Sequence, residues 1–259
     1  MFSRLWHGLF GVYATTVFVV MVLLTVALVA VAPGLTARRR IVRRGAASVF
    51  RLTGTRLRVR GLSHIPDEPC IIVANHASYL DGPILTAALP PRFGFVIKRE
   101  MTRVPLAHFL LRRIGSEFVE RKDTHRSAAD ARRILQKARA QESLAFFPEG
   151  TFAPEPGLRR FHNGAFAAAV RGQVPVIPVV IRGSRSMLPA SRALPRPGAL
   201  EVIVKPALVP SATVPVATLL DEARRKQAAD ALAKGIDCLI RTQITQDGIN
   251  IQDNFIRTN

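Results

Sequence analysis

The sequence predicts an α/β fold, a mostly parallel sheet flanked by helices, with a long apolar helix in front of it. Two observations predict this class. From residue 59 onward, short apolar runs alternate with longer helical stretches, as in a parallel sheet whose strands are joined by helices. Before that point, residues 9–32 form one nearly uninterrupted apolar run without a charged side chain. We therefore expect an N-terminal element over residues 1–57 and a single α/β domain over residues 58–259.

The apolar run of residues 9–32 is long enough to embed in a membrane. About 20 helical residues span the roughly 30 Å hydrocarbon layer. The run ends at Pro33-Gly34, and five arginines follow within residues 38–44. A cleavable signal peptide would have a shorter apolar region that follows its charge instead of preceding it. Because flanking positive charge keeps its side of a helix in the cytoplasm, we expect an anchor in the inner membrane and a domain facing the cytoplasm.

Residues 38–57 are predicted to form a second helix, with an apolar face and an arginine-rich face. A basic amphipathic helix of this kind lies in the membrane interface, near anionic headgroups. A solvated charge run is the alternative. Since the two helices meet at a tight break, they either cross the bilayer or dip into one leaflet as a hairpin, and the sequence leaves both arrangements open.

The charge of the chain requires an anionic partner. There are 37 Lys and Arg against 18 Asp and Glu in 259 residues, a formal charge of +19, and residues 1–60 hold ten basic side chains and no acidic one. Nucleic acid and phospholipid are the two obvious polyanions. The apolar anchor and the absence of a Lys/Arg stripe interleaved with aromatic residues disfavour nucleic acid. We expect a phospholipid membrane as the partner.

The α/β region divides into short apolar runs and helical stretches. The predicted strands are residues 70–74, 93–97, 117–120, 144–147, 176–181 and 201–204. The predicted helices are residues 82–89, 105–113, 124–141, 163–171 and 216–243. Ligands of such sheets bind where the strands end and the loops begin, so the strand ends are the places where chemistry is expected.

The first strand end carries a histidine with a nearby carboxylate. His76 follows the strand directly, and Asp81 stands five positions later, where a helical turn would bring it back toward the ring. A carboxylate beside an imidazole fixes the tautomer and stabilises the imidazolium, which makes the pair a general base. An ordinary turn is the alternative on spacing alone.

Three further strand ends carry polar groups. The strand that ends near residue 147 runs into Pro148-Glu149-Gly150-Thr151, a sharp turn that exposes a carboxylate, a hydroxyl and backbone N–H groups. Basic side chains follow the predicted strands at residues 93–97 and 117–120. Arg is suited to bidentate binding of phosphate, and Lys acts as a point charge. These basic residues are Lys98, Arg99, Arg121 and Lys122. Each could instead be a solvated surface charge.

These blocks together resemble a known family. The pattern Asn75-His76-x4-Asp81, with Glu149 of the Phe-Pro-Glu-Gly-Thr run 73 residues after the histidine, is similar to the glycerolipid acyltransferase family of 1-acylglycerol-3-phosphate acyltransferases. Two more blocks, at residues 98–121 and 174–178, agree in the same order. The resemblance covers about residues 60–185, and the N-terminal pair of helices also resembles the family's membrane-docking element.

The resemblance implies a membrane-bound O-acyltransferase of phospholipid biosynthesis. His76 would be the general base, oriented by Asp81, and the acceptor hydroxyl would attack the thioester of an acyl-CoA or acyl-carrier-protein. No metal or other cofactor is implied. The substrate-binding residues that it implies are Lys98, Arg99, Arg121, Glu149, Gly150 and Thr151.

Two departures from the family pattern concern the acceptor. Phe152 stands where many members have Arg, and Glu120 stands where Asp is usual. We expect the acceptor to be 1-acyl-sn-glycerol-3-phosphate (lysophosphatidic acid), giving phosphatidic acid, with Arg159 or Arg160 as a substitute cation. A lyso-ornithine lipid or another lysophospholipid is the alternative acceptor. A non-catalytic membrane lipid-binding protein is the alternative from another class.

Overall fold

The computed structural model describes residues 2–120, 124–152, 157–210 and 215–228, with side chains for all of these except residues 2–4 and 124–128. The helices are α1 (Phe2–Val31), α2 (Leu35–Leu52), α3 (Asp81–Ala88), α4 (Pro105–Arg113), α5 (Thr124–Arg139), α6 (Gly164–Gly172), α7 (Ser184–Met187) and α8, whose described part is 216–228. The strands are β1 (Arg56–Arg60), β2 (Ile71–Ala74), β3 (Gly94–Lys98), β4 (Glu117–Val119), β5 (Leu144–Phe146), β6 (Val176–Arg182) and β7 (Ala199–Val204).

The described strands form one seven-stranded sheet in the order β1-β7-β6-β2-β5-β3-β4. Strands β6, β2, β5, β3 and β4 are parallel to one another, whereas β7 runs antiparallel to β6 and β1 pairs parallel with β7. The predicted α/β class with a mostly parallel sheet is confirmed, and all six predicted strands are present. The predicted helix over residues 216–243 is helical to residue 228, and the rest of it lies outside the described residues.

Strand β1 corrects one prediction. The helix predicted over residues 38–57 ends at Leu52, and Arg56 and Leu57 already belong to β1. In β1 the arginines are exposed and the two residues between them, Leu57 and Val59, are half-buried against the core. This alternation is that of an edge strand with one buried face. The arginines of β1 continue the arginine-rich pattern of α2. The sequence therefore does not mark the change from the helical period of apolar residues to the alternation of a strand.

The apolar core lies on both faces of the sheet. Successive side chains of a strand point to opposite faces. Ile72 and Ala74 of β2 accordingly pack with α2 and α3, and Ile71 and Val73 pack with α5, α6 and α8 on the other face. All four side chains are fully buried. Strand β2 is therefore the centre of the domain, and its carboxyl end is held from both sides.

Helix α2 belongs to the folded core as much as to the N-terminal element. Phe50 is buried in the cluster that contains Ile72. Arg39 is drawn into the domain, where its Nε donates to the carbonyl of Ile114 at 2.9 Å and its Nη1 donates to the carbonyl of Arg92 at 2.7 Å. Burial lowers the pKa of Arg39. These contacts fix α2 to the end of α4 and the start of β3.

Helix α1 folds back along α2 and lies against the domain. The predicted break at Pro33-Gly34 is present, with Gly34 at a φ of 68°, a conformation that glycine adopts without strain. Near its start, a Cβ on Gly11 would lie 2.8 Å from the Cβ of Leu194. Near its end, the Arg113 Nη2 donates to the carbonyl of Ala30 at 2.8 Å. Because α1 touches the domain at both ends, it runs along the domain's surface.

Most of α1 is apolar and exposed. Residues Leu5–Val31 are long and apolar enough, by length and composition alone, to cross a membrane, with a mean hydropathy of 2.7. Large exposed side chains include Leu9, Leu24 and Leu28, each about half exposed or more. On α2, Arg40, Arg43 and Arg44 are also exposed. The exposed apolar side chains of α1 and the exposed arginines of α2 therefore belong to one helical hairpin.

Candidate active site

The carboxyl end of β2 is continued by the side chain of Asn75. Its Nδ2 donates to the carbonyl of Ile181 at 3.1 Å, and its Oδ1 accepts from the backbone N–H of the same residue at 2.7 Å. The side-chain amide thus takes the place of main-chain groups of β2 in pairing with β6. The backbone can therefore leave the sheet after Ala74 and turn, with His76 at the turn.

His76 and Asp81 lie in contact, as the spacing predicted. The Nδ1 atom of His76 is 2.9 Å from Oδ2 of Asp81, and the same oxygen accepts the backbone N–H groups of Ala77 at 2.6 Å and Ser78 at 2.8 Å. Asp81 is fully buried at the start of α3, where the helix dipole favours a carboxylate. Because a carboxylate accepts, the Nδ1 atom carries the proton and Nε2 is left as the basic atom.

Aromatic rings surround the imidazole. The ring of Phe147 stacks on His76 with centroids 4.4 Å apart, and Phe152 approaches it edge-on at 4.7 Å. Tyr79, two-thirds exposed, packs edge-on against Phe152 at 4.7 Å. The side chain of His76 is 19% exposed. Aromatic rings therefore cover much of the imidazole, and Phe152, which departs from the family pattern, is one of them.

Glu149 joins two loops at the site. Its Oε1 accepts the backbone N–H of His76 at 2.8 Å, and its Oε2 accepts the backbone N–H of Arg159 at 2.8 Å. Burial raises the pKa of Glu149, while these two hydrogen bonds act in the opposite direction. Gly150 turns the chain with a φ of 77°, and Thr151 is exposed. Glu149 therefore lies beside His76, and its substrate-binding role stays a prediction; its link to Arg159 has no signal in the sequence.

The basic residues at the neighbouring strand ends are largely paired with carboxylates. The Nζ of Lys98 lies 2.9 Å from a carboxylate oxygen of Glu100. Arg99 reaches the buried Asp130 on α5 at 3.3 Å, and Asp130 also accepts the backbone N–H of Glu120 at 2.6 Å. Asp130 thus ties the ends of β3 and β4 to α5. Arg121 lies outside the described residues, so its predicted phosphate contact stays a prediction.

Two further features of the site carry no local sequence signal. The buried side chain of Gln227 on α8 donates to the carbonyls of Val73 at 2.9 Å and Val179 at 3.1 Å, which ties the ends of β2 and β6 together from the other face. A cavity of about 390 Å³ lies between the sheet, α5 and α6. It is lined in part by Val96, Ile134 and Phe147, whereas the side chain of Phe147 packs against the core cluster on the other face of the sheet.

The described part of the chain offers a cysteine but not a reactive one. Cys70, at the start of β2, is fully buried, and burial raises the pKa of its thiol to about 11. A thiol of this pKa holds almost no thiolate at neutral pH. Over the same described residues, His, Cys, Asp and Glu side chains form no group of three that could hold a metal ion.

Several known proteins are similar to this chain in sequence. A family model described as Acyltransferase matches residues 56–182. The 1-acyl-sn-glycerol-3-phosphate acyltransferase alpha of Mus musculus is 32% identical over 200 residues, which cover 73% of this chain and 70% of the mouse protein. The chloroplastic 1-acyl-sn-glycerol-3-phosphate acyltransferase BAT2 of Brassica napus is 31% identical, over 66% of this chain and 49% of the plant protein. The chain thus spans about half the length of the plant relative.

A bacterial relative and a solved structure add to the comparison. The lyso-ornithine lipid O-acyltransferase of Pseudomonas aeruginosa is 35% identical over 139 residues, covering 52% of this chain and 51% of that protein. The crystal structure of the 1-acyl-sn-glycerophosphate acyltransferase PlsC from Thermotoga maritima superposes with a TM-score of 0.71 over 86% of this chain and 95% of that one, at 21% identity. The fold is therefore shared with that structure.

Proposed function

The chain belongs to this acyltransferase family, and on that basis we propose that it transfers a fatty acyl group from a thioester to the free hydroxyl of a lysolipid. The observation that carries the proposal is the 2.9 Å contact between His76 Nδ1 and Asp81, in a ring whose other nitrogen is left for a substrate. The donor is an acyl-CoA or acyl-carrier-protein, and the first candidate for the acceptor is 1-acyl-sn-glycerol-3-phosphate, which would give phosphatidic acid.

The reaction needs one base and no covalent intermediate. The Nε2 of His76 takes the proton of the acceptor hydroxyl as its oxygen attacks the thioester carbonyl, so a C–O bond forms. Asp81 stabilises the imidazolium that results. The tetrahedral adduct then collapses, the C–S bond breaks, and the thiolate leaves with the proton that His76 returns. The high pKa of the Cys70 thiol is consistent with a mechanism in which this cysteine does not take up the acyl group.

The surroundings of His76 fit an amphiphilic acceptor and an acylated donor. The rings of Phe147 and Phe152 can bound the apolar part of a substrate. For the phosphate of the acceptor, Lys98 and Arg121 stay the proposed contacts. Arg99 is a weaker candidate since Asp130 already engages it.

The acceptor preference distinguishes the alternatives. We expect the purified full-length chain, assayed with acyl-CoA and acyl-carrier-protein donors against a panel of lysolipids, to acylate lysophosphatidic acid with the highest kcat/KM. Formation of the labelled diacyl product by thin-layer chromatography is the measurement. A preference for a lyso-ornithine lipid would replace the acceptor and keep the chemistry. Absence of product from every lysolipid would contradict the enzymatic proposal and favour a membrane lipid-binding protein.

We further propose that the hairpin of α1 and α2 lies in the cytoplasmic leaflet of the inner membrane and does not cross the bilayer. Contacts of α1 with the domain near Gly11 and at Ala30 support this orientation, because a helix held along the domain cannot stand upright in the bilayer without taking the domain with it. Its exposed apolar side chains would enter the acyl region, and the exposed arginines of α2 would meet anionic headgroups.

The substitution Leu24→Glu tests this docking. Leu24 is 53% exposed on α1, and placing a charge in hydrocarbon costs roughly 2.5–3.5 kcal/mol at the membrane centre. We expect binding to anionic vesicles, measured by flotation, to fall about tenfold or more. The matched control is Leu62→Glu, an exposed leucine after β1. Equal vesicle binding by the two variants would contradict the docking. Point substitution is preferable to deletion of residues 1–57, which would also remove the buried Phe50.

A further inference from the structure

We propose that Arg159 binds the phosphate monoester of the acceptor beside His76. The inference rests on the proposed acyl transfer to a lysolipid and assigns the headgroup contact to a residue of this chain. Its basis is the carboxylate of Glu149, which joins the backbone of His76 to the backbone of Arg159 with two bonds of 2.8 Å. One carboxylate group therefore separates the backbone N–H of His76 from the backbone N–H of Arg159.

The segment that carries Arg159 is fixed at both ends. Three residues later, the backbone N–H of His162 donates to the carbonyl of Pro148 at 2.9 Å. Phe161, between these two anchors, is buried in the core cluster of α5 and α6. The segment thus follows the turn at residues 147–150, and its two arginines are carried on a positioned backbone. Both Arg159 and Arg160 are exposed.

The charge of Arg159 is available to a ligand. Over the described residues, its side chain makes no ion pair and no hydrogen bond, and the carboxylate of Glu149 is occupied by backbone N–H groups. Lys98 and Arg99, by contrast, each lie against a carboxylate. A guanidinium without a partner is suited to bidentate binding of a phosphate.

The aromatic rings beside His76 supply no counter-charge for an anionic headgroup. Phe152 covers one side of His76 and is itself covered by Tyr79, and neither ring offers a positive charge. Phe147 stacks on His76 and likewise brings no charge. An anionic headgroup whose hydroxyl reaches Nε2 would therefore find its counter-charge across Glu149, where Arg159 stands. The long side chain of Arg can bridge that separation.

Kinetics of two adjacent variants test the proposal. We expect Arg159→Ala to raise the KM for lysophosphatidic acid about 10- to 100-fold, as for loss of hydrogen bonds to a charged group, with little change in kcat. Turnover of a monoacylglycerol with the same acyl chain, which lacks the phosphate, should be unchanged. Arg160→Ala is the matched control and should keep the wild-type KM. Arg159→Lys should recover part of the loss.

Equilibrium binding of lysophosphatidic acid to the full-length chain, without a donor, gives a readout that does not need turnover. Weaker binding by Arg159→Ala than by Arg160→Ala supports the assignment. Equal effects of the two variants, or a KM that rises equally for the monoacylglycerol, would overturn it, because either result indicates a general structural effect. A wild-type chain that binds the lipid through Arg159 but forms no ester would contradict the proposed transfer and leave the binding assignment standing.

Discussion

Loss of acyl transfer is the expected result of replacing His76 by Ala. Asp81 holds the imidazole by its Nδ1, which leaves Nε2 to take a proton, and general-base catalysis typically contributes about 10²–10⁴-fold to the rate. We expect kcat to fall by at least this range, while the affinity for lysolipid changes little. Transfer of a radiolabelled acyl group from the thioester to lysophosphatidic acid, with purified full-length protein, measures the effect.

A second histidine provides the matched control for this variant. The Nδ1 of His64 contacts the carbonyl of Val204 at 2.8 Å, away from the site. His64→Ala removes an imidazole and one hydrogen bond but should keep kcat within a few-fold. Both variants should retain the thermal unfolding transition of a folded domain. Turnover by folded His76→Ala at the wild-type rate would rule out the proposed base.

Asp81→Asn should have the second largest effect on turnover. The asparagine oxygen can still accept the backbone N–H groups of Ala77 and Ser78, so the turn can be kept. What is lost is the negative charge that stabilises the imidazolium formed when His76 takes a proton. In a serine protease triad the same Asp-to-Asn change costs about 10⁴ in kcat. We expect a fall of about 10²–10⁴-fold in kcat with a small change in KM, measured over a range of pH.

Asp130→Asn separates this effect from the loss of any buried carboxylate. Asp130 is nearly as deeply buried as Asp81. It accepts hydrogen bonds from the backbone of Glu120 and from two arginines, but it does not contact the imidazole of His76. We expect it to lower stability more than kcat. If Asp81→Asn and Asp130→Asn reduce kcat equally, orientation of His76 by Asp81 is not the reason for the loss.

Several elements could be predicted from the sequence because local patterns determine them. Strands β2, β5 and β6 are short apolar runs bounded by turn residues, and their carboxyl ends meet at one edge once the sheet is parallel. The contact between His76 and Asp81 followed from a strand, a turn and a helix start within six residues. The part of the site that lies on two short motifs can therefore be predicted from the spacing of their residues.

Other elements depend on contacts between distant segments. Gln227 reaches Val73 from 154 residues away, and Arg39 enters the domain to meet Ile114, 75 residues later. Neither contact leaves a pattern in its own neighbourhood, since a glutamine or arginine on an amphipathic helix is equally common on a solvated face. The same holds for the pairing of β1 with β7, which joins segments about 140 residues apart. Tertiary structure, rather than local propensity, selects these partners.

The side chain of Asn75 has a consequence for the energetics of turnover. Its amide bonds to the backbone of Ile181 and extends the pairing of β2 with β6 beyond the end of the strand. The backbone can therefore change direction at Asn75 while the pairing of the sheet continues. The sheet, and not a loop, therefore fixes the orientation of His76. The conformational entropy of placing the base is lost once, when the chain folds, and not again in each catalytic cycle.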